Sequence, residues 1–166
     1  DLHIAAHSFP TRRSSDLLLA ACASQPPLPV HTPSLALPLQ LHVEREQDDQ
    51  RQDWLLVIQR EGDALRWSLM DPLGIPLARQ KLVEGTWQAD GLLPPNPQAR
   101  ELFAALLFAL TPAAELPGNY PQAREDDGVR VLKPHWQVIY QAPLAFSVSM
   151  PGQHLNYRVS ALGNTP

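Results

Sequence analysis

The sequence lacks the residues on which several classes of protein depend. Its 166 residues include a single cysteine, Cys22, which excludes an internal disulfide framework and a zinc site built from several cysteines. It has no run of about 18 consecutive apolar residues, the length that a membrane-spanning helix requires. Acidic residues outnumber basic residues by 17 to 13, so the basic stripe of a nucleic-acid-binding protein is missing. We therefore expect no nucleic-acid partner.

Catalytic and metal-binding motifs are missing as well. Outside residues 1–17, the histidines form neither an HExxH motif nor an i, i+4 pair, and they are His31, His42, His135 and His154. The sequence contains no G-x-S-x-G turn and no glycine-rich phosphate-binding loop. The acidic clusters at 48–49 and 125–127 fall in predicted loops, where solvated turns are far commoner than acid–base pairs. We expect no catalytic residue, no metal site and no cofactor, and therefore a protein that is not an enzyme.

Residues 1–17 have the sequence of a translated sequencing adapter. His7 to Leu17 spell HSFPTRRSSDL, which is the translation of a widely used short-read adapter in its first frame. Asp1 to His3 match the fixed bases that precede the index of that adapter, and three codons of variable sequence separate the two matches. We therefore set residues 1–17 aside, as any non-native segment is set aside. The native N-terminus is expected to have been lost before Leu18.

Leu18 to Cys22, with the sequence LLAAC, resemble the lipobox that ends the signal peptide of a bacterial lipoprotein. Small residues suit the signal peptidase, and the cysteine thiol is the site of lipid attachment in such proteins. Cys22 is therefore the predicted lipid-attachment residue, and the alternative is an ordinary buried free cysteine. Ala23 and Ser24 lack the aspartate that retains lipoproteins in the inner membrane. The resemblance thus implies an anchor on the periplasmic face of the outer membrane of a Gram-negative bacterium.

Residues 23–38 are rich in proline and carry no charge. The segment ASQPPLPVHTPSLALP contains five prolines, which fix φ and remove backbone hydrogen-bond donors. We predict an extended, polyproline-like tether that holds the folded domain away from the membrane.

The pattern of residues 39–161 predicts one α+β domain, which is followed by a short tail at 162–166. In the first predicted strand, apolar and polar residues alternate from Leu39 to Glu44, which is typical of a strand with one wet face. Further strands of a curved antiparallel sheet are predicted at 54–61, 65–70, 75–83, 86–90, 129–133, 136–141, 144–150 and 155–161. We also predict that Glu46 to Asp53 form a charged turn and that Leu144 points inward.

One helix, from Pro97 to Leu110, interrupts the strands. Asn96 and Pro97 are a suitable N-cap and first helical residue, and Thr111-Pro112 end the segment. Because the helix is apolar nearly all round, it must be covered on every side. It is either a core helix that plugs the concave face of the sheet or a lid over an apolar cavity. The lid interpretation predicts a cavity lined by Leu102, Phe103, Leu106, Leu107, Leu110, Trp67, Leu69, Trp136, Val138, Tyr140 and Phe146.

Several motifs resemble a family of uncharacterised bacterial lipoproteins that share a domain of unknown function, DUF3261. They are LRWSLMDPLG at 65–74, LLPP at 92–95, LTP at 110–112 and WQVIY at 136–140. The order of parts is similar to that of the outer-membrane lipoprotein receptor LolB, with a lipobox, a tether, strands ending in a P-L-G turn, a helical lid and a second set of strands. The resemblance implies a half-open antiparallel barrel closed by helices.

The same resemblance implies the handling of acyl chains. LolB accepts acylated cargo from the periplasmic carrier LolA, so we expect an apolar cavity for an acyl chain and a LolA-like carrier as partner. Members of the uncharacterised family are associated with gene clusters for aryl-polyene lipids, which would make the cargo a polyene lipid instead of a lipoprotein. We expect an anchored monomer that binds or transfers such cargo. The alternative is a non-catalytic structural or scaffold lipoprotein of the envelope with no cargo.

The P-L-G turn has a residue of particular interest, Leu73. Asp71-Pro72-Leu73-Gly74 satisfies the preferences of a type I turn, with Leu73 at the third position. This places Leu73 at the tip between two strands, and the alternative is that its side chain folds back onto the sheet. In LolB the leucine of the matching turn touches the membrane, so the resemblance implies that Leu73 contacts the outer membrane.

Overall fold

Ten antiparallel strands form one open sheet in the structure, a computed structural model that describes residues 24–163. The predictions on residues 1–17, on the lipobox and on Cys22 lie outside the described residues. The strands are β1 Leu39–Gln47, β2 Gln50–Glu61, β3 Ala64–Met70, β4 Pro76–Val83, β5 Thr86–Ala89, β6 Arg124–Asp126, β7 Val129–Leu132, β8 Trp136–Ala142, β9 Ala145–Met150 and β10 Leu155–Ala161. Their order across the sheet is β5-β4-β3-β2-β1-β10-β9-β8-β7-β6.

Period-two alternation positions the core on one face of this sheet. In β1, Leu41 and Val43 are fully buried, and Leu41 pairs with the equally buried Leu56 of β2. The predicted antiparallel sheet is therefore confirmed. Leu144 is an exception to the predicted inward set, because it lies in the turn before β9 and is 36% exposed. In β10 the buried residues alternate in the same way, and they are Leu155, Tyr157 and Val159.

Two helices follow β5, namely α1 (Pro97–Leu110) and the short α2 (Leu116–Asn119), with single 3-10 turns at Ala113–Glu115 and Pro151–Gln153. As predicted, α1 begins at the Asn96 cap, whose side-chain oxygen accepts a hydrogen bond from the Ala99 amide at 3.0 Å. It ends at Thr111, whose hydroxyl donates to the Leu107 carbonyl at 2.7 Å. The Asn96 cap thus satisfies an amide that would otherwise lack a partner, and the Thr111 hydroxyl adds to the bond that the Thr111 amide already donates to the Leu107 carbonyl at 3.1 Å.

The sides of α1 are covered by strands from both halves of the sheet. The ring centre of Phe103 lies 5.4 Å from that of Trp67 on β3, and the ring centre of Phe108 lies 5.7 Å from that of Trp136 on β8. Four other strands separate β3 from β8 in the sheet. Contact with both is consistent with a sheet that curves around the helix.

The charged segment predicted as one long turn is mostly strand. β1 continues to Gln47 and β2 begins at Gln50, so only residues 48–49 form the turn. The charges are accommodated because they pair across strands: Glu44 forms an ion pair with Arg51 of β2 at 2.5 Å and accepts a hydrogen bond from Arg158 of β10 at 2.7 Å. Cross-strand pairs of opposite charge stabilise a sheet, and the prediction of a turn over 46–53 was wrong.

The proline-rich segment packs on the domain along much of its length, unlike the predicted free tether. The amides of Val30 and His31 donate to the backbone and side-chain oxygens of Asn119, at 3.2 and 2.8 Å. Prolines keep the chain extended, and three of its apolar side chains pack against the domain, whereas Val30 is 62% exposed. Those that pack against the core are Leu28, Leu35 and Leu37. We call residues 28–38 the N-terminal strap.

Candidate functional site

The space between the sheet and α1 is filled by side chains. They are the same residues that the lid interpretation predicted to line a cavity. On α1, the fully buried members of that set are Leu102, Phe103, Leu106 and Leu107. The predicted strand residues are equally packed, with exposures of 0–2%: Trp67, Leu69, Trp136, Val138 and Phe146. This corrects the prediction of a cavity along the helix, because α1 is long and apolar enough to occupy the concave face itself. Of the two arrangements left open, the structure has the plug.

A cavity of about 580 Å³ does exist, but it lies at the C-terminal end of α1. Leu110 and Tyr140 are the two predicted residues that line it. The rest of its wall comes from the N-terminal strap, the start of β1, the segment after α1, the β6–β7 hairpin and the β8–β9 turn. We call it the helix-end cavity. Its apolar lining residues are Leu35, Ala36, Leu39, Ala109, Leu110, Pro112, Ala113, Ala142, Pro143 and Leu144.

Arg130 holds the polar side of this cavity together. Its Nη1 donates to the carbonyls of Phe108, Ala109 and Thr111 at 2.8, 3.3 and 2.7 Å. Its Nε donates to Glu125 at 2.5 Å. Because the C-terminal carbonyls of a helix carry partial negative charge, a buried cation at that position stabilises the helix end. The side chain is only 4% exposed, so this arrangement is fixed within the protein.

Tyr140 lies beside Arg130 and closes the same helix end. Its hydroxyl donates to the Ala109 carbonyl at 2.6 Å, and the Arg130 guanidinium lies 5.4 Å from the centre of its ring. Burial raises the pKa of Tyr140 to about 12, although the charge of Arg130 acts in the opposite direction. The phenol therefore remains protonated and acts as a hydrogen-bond donor at physiological pH.

Neither Arg130 nor Glu125 was among the cavity residues predicted from the sequence. A signal for Arg130 was present, because it shares one face of β7 with Leu132, and both are buried. Glu125 was placed in a solvated loop, whereas it lies on the short edge strand β6. Charged residues are common on edge strands, where they discourage pairing with other chains.

Leu73 lies at the opposite end of the strands from the helix-end cavity, because the pairing directions place the β3–β4 and β8–β9 turns at opposite ends of the sheet. The Asp71 carboxylate accepts hydrogen bonds from the amides of Leu73 and Ile75, both at 2.9 Å, which fixes the turn. Leu73 is 85% exposed, and Ile75 and Leu77 are 55% and 36% exposed. The Leu73 side chain does not fold back onto the sheet. We call the surface formed by Leu73, Ile75 and Leu77 the turn patch.

Comparison with known families assigns the chain to one of them. A family described as a protein of unknown function (DUF3261) matches residues 38–160. The chain belongs to this family. The DUF3261 domain begins immediately before β1 and ends within β10, so it includes α1 and most of the helix-end cavity. No curated protein matches the chain.

Residues 24–163 contain neither a metal-binding cluster nor a single helix that could span a membrane. No three His, Cys, Asp or Glu side chains in that range lie close enough to share a metal ion. Within the same range no single helix of the DUF3261 domain is long and apolar enough to cross a membrane. Only α1 taken together with Ala113–Asn119 reaches that length and composition, and that pair is bent by 102°.

Proposed function

We propose that this protein is an outer-membrane lipoprotein, anchored at Cys22, that binds an acyl-chain ligand in the helix-end cavity and transfers it. The observation that carries the proposal is the cavity itself. Its volume of about 580 Å³ is within the roughly 300–1,000 Å³ of ordinary small-molecule sites. Most of its lining residues are apolar, and the polar residues Thr111, Arg130 and Tyr140 lie at the C-terminal end of α1.

The energetics favour an apolar chain as the occupant. Each methylene group that leaves water contributes about 0.8 kcal/mol, so about six of them contribute roughly 5 kcal/mol. The interior around Phe103 and Trp67 is packed, so a long chain does not fit beside α1. In this proposal, the cavity therefore holds the head-group end of the ligand and the first part of its chain. A LolA-like carrier is the proposed donor.

A second function is supported by a different observation. The interior is filled, because Leu102, Leu106 and Leu107 are fully buried together with the large aromatic residues. A non-catalytic scaffold lipoprotein with no cargo would have such an interior. The two functions differ in what they require of the helix-end cavity, since only the first needs it to be occupied.

The experiment fills the cavity and measures binding. Ala113 lines the cavity and is exposed, so the Ala113→Trp variant is expected to fold and to occupy the space. Ala89→Trp on the edge strand β5 adds the same side chain outside the cavity and is the matched control. We expect a fluorescent dodecanol to bind the unaltered protein and the Ala89→Trp variant, and to lose most of its affinity for Ala113→Trp.

Two other results would favour a scaffold lipoprotein without cargo. Equal binding by the two tryptophan variants would place the probe elsewhere, and no binding by the unaltered protein would leave the cavity without a ligand. The anchor is checked separately, by palmitate labelling in bacteria of residues 18–166 behind a complete lipoprotein signal peptide, and the Cys22→Ala variant should lose the label.

A further inference from the structure

The N-terminal strap lies across the open side of the sheet. Its residues 29–32 line a small cavity together with the β4–β5 turn, near one edge of the sheet. Residues 27, 28 and 30 line another together with the β7–β8 turn, near the other edge. Among the described residues no strand pairing joins these two edges. The strap is therefore the segment that connects them.

The same segment forms one wall of the helix-end cavity. Ser34, Leu35 and Ala36 line that cavity, and Leu35 also packs against the core. If the strap left the domain, the cavity would lose these three residues and would be open on that side.

Few hydrogen bonds hold the strap in place. In the described part of the chain, three of its amides donate to the domain: those of Val30 and His31 to Asn119, and that of Ser34 to Glu115 at 3.0 Å. The prolines at 29, 33 and 38 have no N–H to donate, so the strap cannot pair as a further strand within the sheet. A segment with so few backbone bonds opens at a lower free energy than the paired strands.

The strap also sets the length of the proposed anchor. From Cys22 to Leu28 the chain advances six residues, which span at most about 20 Å. With the strap released, the free segment runs from Cys22 to Leu39, seventeen residues that span up to about 60 Å. A docked strap keeps an anchored domain near the membrane, and release lets it reach farther.

We infer that the N-terminal strap is a releasable clamp that couples these two properties. Docked, it completes the helix-end cavity and holds the domain close to the membrane. Released, it opens the cavity and extends the reach of the domain. The inference rests on the proposed function for the anchor and the ligand, whereas the opening of the strap is measured without either.

Hydrogen exchange on the full chain measures strap opening directly. After correction for intrinsic rates, we expect the amides of Val30, His31 and Ser34 to exchange about a hundredfold or more faster than those of Val43 and Val159. These two valines pair with each other in the centre of the sheet. Equal protection of the strap and the sheet would overturn the inference, because the strap would then open only when the whole domain unfolds. This comparison needs no variant.

The side chain of Asn119 is the contact to remove. Asn119 is buried, and its side-chain oxygen accepts the His31 amide at 2.8 Å. Asn119→Ala should therefore make the Val30 and Ser34 amides exchange about fivefold faster, the effect of one hydrogen bond. Asn156→Ala, on an exposed position of β10, is the control and should leave both rates unchanged. Equal rates in the two variants would contradict the role of Asn119 in the clamp.

A variant with a released strap tests the coupling. Leu28→Ser and Leu37→Ser together remove apolar contacts that retain the strap without altering the cavity lining. We expect fluorescent dodecanol to leave this double variant about tenfold or more faster, since weakened binding is seen mainly in the dissociation rate. Attached to vesicles by a maleimide lipid at Cys22, the single thiol of the chain, the variant should also transfer less energy from its tryptophans to a dansyl lipid. Leu92→Ser, an exposed leucine outside the strap, is the control.

The outcomes separate the clamp from the proposed function. An unchanged dissociation rate or unchanged energy transfer in the double variant would overturn the coupling. Failure of the unaltered protein to bind the probe would refute the proposed function, and hydrogen exchange and energy transfer would still decide whether the strap is a releasable clamp.

Discussion

Replacing Arg130 by methionine removes the group that satisfies the C-terminal end of α1. Methionine keeps much of the side-chain volume, so the change acts on polar contacts more than on packing. Three carbonyls lose a donor, and Glu125 loses its cation. Each buried carbonyl that loses its donor costs about 1–3 kcal/mol. We expect a total loss of about 3 kcal/mol, because the Phe108 and Thr111 carbonyls lose the bond from Arg130, whereas Ala109 keeps its bond from Tyr140 and Glu125 lies on the exposed strand β6.

Urea unfolding followed by tryptophan fluorescence measures this loss. With a slope of about 2 kcal/mol/M, a loss of about 3 kcal/mol lowers the unfolding midpoint by about 1.5 M. Arg79→Met is the matched control, because Arg79 is exposed on β4. We expect that variant to remain within about 0.5 kcal/mol of the unaltered protein. Equal midpoints for the two methionine variants would refute the role given to Arg130.

Two further predictions concern the turn patch and the tyrosines. Leu73→Glu should leave the free energy of unfolding unchanged, because Leu73 is 85% exposed, but should slow transfer of a fluorescent chain to liposomes. Leu92→Glu is the control, since Leu92 is fully exposed outside the turn patch, and equal transfer by both variants would leave the turn with a structural role alone. Burial raises the pKa of Tyr140 and Tyr157 to about 12, so the stability that they contribute should be constant below about pH 10, the unfolded value, and fall as the pH approaches 12. Phenolate absorbance checks this, and titration of these tyrosines near pH 10 in the folded protein would contradict it.

Local patterns in the sequence were sufficient for most of the strands and for α1, but not for β6 or for the charged ends of β1 and β2. The alternation of β1 and β10, the Asn96 cap and the Thr111 stop each depend on residues close together in the chain, and each is found in the structure. The Asp71 turn was predictable for the same reason, because its carboxylate binds amides two and four residues along. These features require little knowledge of the rest of the fold.

The position of the cavity could not be obtained in this way. It is bounded by segments far apart in sequence, from Leu35 to Leu144, and depends on the N-terminal strap packing on the domain. The prolines of the strap indicated a tether, whereas Leu35 and Leu37 provide the apolar contacts that retain it. Whether α1 plugs or covers the sheet was likewise decided by tertiary packing, since both arrangements require a helix that is apolar all round.

The central position of the β1–β10 pair has a consequence for how the protein is made. These two strands, the first and last in chain order among the described residues, meet in the middle of the sheet, where Arg158 and Glu44, 114 residues apart, form an ion pair at 2.7 Å. A chain that emerges N-terminus first, from a ribosome or a translocation pore, presents β1 with one unpaired edge until Ala161 has followed. Unpaired strand edges invite aggregation. The two halves of the sheet can form their hairpins early, but they join only when synthesis or export of the domain is complete.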